Sequence, residues 1–182
     1  MDITRNMNVA RALVGTTKVM VRTEIDNVEF KVPTVIPFVA KADGTLQGPS
    51  EDATTIDNHS AYGIHVTNMK IDAMNTWTIA ADAKAGSAQN SIDFKVGPAD
   101  GLQDAYAATQ GTGIDLSKNA AFDMGYLGIA DGSDKIKLKA SGNVARVTRD
   151  IFHLTSAANK AETGDSVASI TWTVEPGAHV AS

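Results

Sequence analysis

Ser166-Val-Ala-Ser-Ile-Thr-Trp-Thr-Val-Glu-Pro176 is the stretch that decides the fold. Ala168, Ile170, Trp172 and Val174 alternate with Val167, Ser169, Thr171 and Thr173. Successive side chains of an extended chain point to opposite faces, so the first four share one face: a half-buried strand. Pro176 and Gly177 close it, because proline offers no amide hydrogen to a ladder. Far upstream, Asn75-Thr-Trp-Thr-Ile79 repeats the tryptophan-x-aliphatic pattern. The chain has only two tryptophans, Trp77 and Trp172, and each sits in this setting. With Ile79, and with Ile170 and Val174, on their faces, both read as core residues rather than as a sugar-stacking platform.

The same alternation recurs along the chain. Lys18-Val-Met-Val-Arg22 and Val28-Glu-Phe-Lys-Val32 flank Asp26-Asn27 and read as a hairpin. Pro33 and Pro37 make the next passage an edge strand or an irregular crossing. Phe38–Lys41, Ala53–Asp57 and Trp77–Ala81 read as short strands. Ile64 and Val66 are out of phase with Met69 and Ile71, which predicts a β-bulge near Thr67-Asn68. Ile92, Phe94 and Val96 alternate with Asp93 and Lys95. Leu102–Ala108 is the one helical candidate. Ala120–Ile129 reads as a bent strand. Ile136 and Leu138 alternate with Lys135, Lys137 and Lys139, a solvent face or a protected edge. Gly142-Asn143 reads as a turn into Val144–Arg149, with Ile151–Leu154 continuing and Ser156–Asp165 as a polar loop. The sum is an all-β chain, a β-sandwich or jelly roll of about ten short strands with at most one short helix. It forms one domain over 18–182, preceded by an arm over 1–17.

The 182 residues carry 43% hydrophobic and 20% charged side chains, a globular composition. A net charge of −5 argues against nucleic acid, which needs a basic face. Cysteine is absent, which excludes disulfides and thiolate metal sites. No apolar run reaches the roughly 18 residues of a membrane span. Arg5, Arg11 and Ala12-Leu-Val14 are too weak for a signal peptide, and the compartment stays open.

No catalytic constellation stands out, and no cofactor is called for. His59 and His65 flank Tyr62 and would share a face with Asp57 nearby, but zinc takes three or four ligands at tighter spacing; surface or turn histidines are the plainer reading. His153 and His179 are isolated. Asp43-Gly, Asp100-Gly and Asp131-Gly-Ser-Asp134 lack the acidic spacing of a calcium loop and read as turns. Tyr62, Tyr106 and Tyr126 show no pattern of their own.

Ala168–Gly177 with Asn75–Ile79 resembles the paired tryptophan-x-leucine pattern of Gram-positive WxL cell-wall domains, with Ile79 and Val174 in the leucine places. Val32-Pro-Thr-Val-Ile-Pro-Phe38 and Ile56-Asp-Asn-His-Ser60 are similar to secreted β-proteins of the same bacteria, and the size and class resemble camelysin and TasA-type fibre subunits. The resemblance implies a non-enzymatic, extracellular surface protein whose partner is itself, as a homopolymer, or a cell-wall glycan. A lysine–asparagine cross-link of some such domains finds Lys18 but no asparagine on the last strand. Val9, Leu13 and Val14 lie in an arm too short and polar to make its own core. The arm folds back on its own domain, inserts into a neighbour or frays as a terminus, and of these strand addition to a neighbour's sheet edge is the route to a filament. A glycan-binding module is the second reading, and a hydrolase with an illegible site the third.

Overall fold

The computed structural model describes residues 28–149 and 164–179. In chain order the described elements are β1 (Phe30–Lys31), β2 (Val39–Ala40), β3 (Thr45–Gln47), β4 (Thr55–Asn58), β5 (Ile64–Ala73), β6 (Thr78–Ile79), β7 (Ser91–Gly97), β8 (Gln103–Asp104), α1 (Ala105–Thr109), β9 (Ile114–Asp115), β10 (Asp123–Met124), β11 (Lys135–Lys137), β12 (Lys139–Ala145) and β13 (Ala168–Pro176). The all-β expectation holds, with one short α-helix among the described residues. No described helix is long and apolar enough to cross a membrane.

Three sheets share one core. The first runs β1-β4-β11 and the largest β2-β3-β12-β7-β6, with β8 also on β7. The third has β5 at its centre, with β13 along one side and β9 and β10 along the other. All pairs are antiparallel except β6–β7. Ile64, Val66, Met69 and Ile71 of β5 are buried with Ile92, Phe94 and Val96 of β7. They join Leu46, Ile56, Phe122, Ile136 and Leu138 in one cluster.

The predicted bulge is present. Asn68 faces Thr173 and Val66 faces Val174, so Thr67 is the extra residue and resets the phase of β5. The helix starts later than Leu102, because Gln103 and Asp104 pair with β7. The Asp104 carboxylate then caps α1, accepting from the Tyr106 and Ala107 amides at 2.8 and 3.2 Å. Pro33–Pro37 is the irregular crossing, outside any strand.

Other expectations are corrected. Gly142-Asn143 is not a turn but lies in mid-β12, opposite Phe94 and Asp93. Glycine is required there by close approach: a Cβ would stand 2.0 Å from the Asp93 carbonyl oxygen. Ala120–Ile129 is not one bent strand. A 3-10 turn over Ala120–Phe122 leads into β10, and turns follow. Of Val28–Val32, only Phe30–Lys31 pairs. The Lys135–Lys139 alternation holds, but it serves two sheets. The chain passes from β11 to β12 at the buried Leu138, whose amide donates to the Thr54 carbonyl. The Lys18–Arg22 strand and Ile151–Leu154 lie outside the described residues.

Candidate functional site

β13 is the feature of this fold that its own described chain leaves unfinished. Ala168 to Pro176 pair with β5 on one side, and no strand pairs with the other side among the described residues. Ala168, Ile170, Trp172 and Val174 face the core, as the alternation predicts, yet each is only half-buried. Ser169, Thr171, Thr173 and Glu175 are exposed. Natural edges are usually guarded by lysines, inward charges, prolines or extreme shortness. β13 is nine residues long, carries no lysine, and has its proline only at the end.

Each end of β13 is fastened by an aspartate. At its start, Asp165 accepts from the Trp77 indole Nε1 at 2.8 Å, from the Arg149 guanidinium and from Asn75 Nδ2 at 3.5 Å. Asn75 Nδ2 also donates to the Ser166 carbonyl at 3.0 Å, and the Met74 amide to the Val167 carbonyl. Asn75 and Thr76 both adopt positive φ, 49° and 64°, which turns the chain so that Trp77 reaches Asp165. The Arg149 bonds hold the Asp165 carboxyl below its ordinary value, against the opposing effect of burial, and the Trp77 N–H adds to them.

At the far end, β10 places Asp123 directly across from His65 of β5. His65 is buried, with Nδ1 at 2.6 Å from Asp123 Oδ1 and Nε2 at 2.8 Å from the Leu116 carbonyl oxygen. Past β13, the His179 amide donates to Asp123 Oδ1 at 2.8 Å and its ring Nδ1 lies 2.7 Å from Asp123 Oδ2. Burial raises the Asp123 carboxyl, but the His179 and His65 hydrogen bonds outweigh it and the net shift is downward. The Gly177 amide donates to the Gly63 carbonyl at 2.9 Å, so the tail is tied to the start of β5.

The tryptophans divide. Trp77 is 5% exposed, its ring in the core. Trp172 is half-buried, its ring 6.5 Å from that of Phe122. The two do not stack on each other. Val9, Leu13 and Val14 of the arm lie outside the described residues, as does Lys18. At the start of the described chain, the Glu29 amide donates to Ser60 Oγ at 2.9 Å, and its carbonyl accepts the His59 amide at 2.8 Å.

His59 and His65 do not share a strand. His59 sits in the β4–β5 connection, while His65 and His179 share the Asp123 carboxylate, so His179 is not isolated. That constellation was not legible in the sequence, since Asp123 meets His65 only through the β5–β10 register. The Asp-Gly motifs spend their oxygens on turns: Asp43 Oδ1 accepts from Thr45 N and Asp131 Oδ1 from Ser133 N. Among the described residues no three His, Asp or Glu side chains converge as metal ligands. No described serine or threonine hydroxyl hydrogen-bonds the His65 or His179 ring. An open groove of about 790 Å³ lies beside Leu46–Asp52 and Lys137–Ser141, crossed by the exposed ion pairs Lys137–Asp52 and Lys139–Glu51 at 2.7 and 2.9 Å. It has no aromatic wall. Comparison with known protein families, curated proteins and solved structures finds no match for this chain.

Proposed function

We propose that this protein is a non-catalytic structural subunit of the extracellular, Gram-positive surface type, and that it polymerises by strand addition at the outer edge of β13. The observation that carries this reading is the long, unguarded edge with a half-buried inner face. An added strand would satisfy the outward amides and carbonyls that no described strand pairs, and cover Ile170, Trp172 and Val174. The donor is the N-terminal arm of the next copy. Val9 and Leu13 are four apart and share one face of an extended segment, with Val14 on the other. The described fold begins at Val28, and the Glu29 amide donates to Ser60 Oγ, three residues before the Gly63 whose carbonyl holds Gly177.

A head-to-tail contact of this sort does not close on itself and gives a filament. Electron microscopy of the full chain beside a variant lacking residues 1–17 tests it. Filaments from the full chain alone support the arm as connector. Filaments from both, or from neither, overturn it. The glycan-binding alternative loses one of its two platforms, because the Trp77 ring is buried and its N–H is held by Asp165.

A further inference from the structure

We infer that His65 is carried inside the folded protein as a doubly protonated imidazolium, and that His65, Asp123 and His179 form a proton-held lock on the C-terminal tail. Both ring nitrogens of His65 face acceptors and nothing else: a carboxylate oxygen at 2.6 Å and a backbone carbonyl oxygen at 2.8 Å. A neutral ring has one N–H and one lone pair. Whichever nitrogen kept the proton, the other would press its lone pair against an oxygen lone pair in a buried site. Only the imidazolium donates to both.

The alternative, a proton on Asp123, is opposed by the carboxylate's own surroundings. Oδ1 also receives the His179 amide and Oδ2 faces the His179 Nδ1, and several donors favour the ionised form. The charge bookkeeping then closes locally, one buried cation against one carboxylate. The other charged groups around the ring are few. Glu175 of β13 lies opposite His65 in register and is exposed. Asp115, before Leu116, accepts from the Ser117 amide, and Lys118 is exposed. His179 on the tail shares the Asp123 carboxylate.

The lock adds side-chain hydrogen bonds to the backbone pairing that joins β5, β10 and the residues after β13. Loss of the Asp123 carboxylate would take away the charge that faces His65 and weaken both hydrogen bonds from His179, leaving the Gly177–Gly63 backbone bond to hold the tail. The consequence for polymerisation rests on β13 being the assembly edge, but the lock itself does not.

Nitrogen-15 NMR of the full chain reads the ring directly, with amide exchange of Gly177 and His179 followed alongside. At neutral pH both nitrogens of His65 are expected to carry protons. Asp123→Asn should show a singly protonated His65 at the same pH, and His179 exchange at that unchanged pH should be faster by about tenfold or more, the worth of a hydrogen bond to a charged group. One bare nitrogen on His65 in the wild-type chain at neutral pH overturns the assignment. Unchanged His179 exchange in Asp123→Asn overturns the lock. Neither readout depends on filaments, so failure of the assembly reading would leave these results standing.

Discussion

At the scale of single residues, two aspartates set the chemistry of this protein. Asp165 and Asp123 have carboxyls held below their ordinary value of 3.8 in the fold. A depressed carboxyl contributes stability that is present above its unfolded value and lost as pH falls through the folded one. Urea midpoints should therefore hold near neutrality and drop as pH falls from about 5 toward 2, and Asp165→Asn should flatten part of that slope. Trp77→Phe keeps most of the ring but removes the N–H that Asp165 accepts. A loss of about 1–3 kcal/mol by chemical denaturation is expected, since a buried carboxylate loses a donor. Trp172→Phe, half-buried and without that bond, should cost less. The sequence placed both tryptophans on inward faces correctly. It had no signal for their difference, which lies in an aspartate 88 residues away from Trp77.

At the scale of elements, β12 and β13 carry the argument. Gly142 lies under the Asp93 carbonyl, and Gly142→Ala should lower stability by about 3 kcal/mol, visible as an earlier thermal transition, because β12 must separate from β7. That glycine was misread as a turn for a physical reason: a glycine within a strand and a glycine within a turn look alike until the opposing backbone is known. On β13, Thr171 and Thr173 are exposed. Thr171→Lys with Thr173→Lys should change folding stability by no more than about 0.5 kcal/mol. The same pair guards the edge with charge and should abolish sedimentable polymer. Full polymer from that variant would argue that the edge is not the contact.

At the scale of the whole molecule, the third sheet is closed by residues about a hundred positions apart, with Ile71 opposite Ile170. Such pairing must bring distant segments together before any contact rewards it, so refolding by stopped-flow fluorescence should fall in the millisecond-to-second range rather than microseconds. Side-chain direction is a local property, and the sequence by itself determined what depends on it: the alternation of β7 and β13, the phase slip at Thr67, the short helix after Leu102, the proline-broken crossing and hence the all-β class. Which strand lies beside which is not local. Only the tertiary structure put β13 on β5, split one lysine-studded alternation between two sheets at Leu138, and set Asp123 against His65 and His179. Those neighbours come from long-range register and shared burial, for which the order of residues along the chain holds no periodic signal.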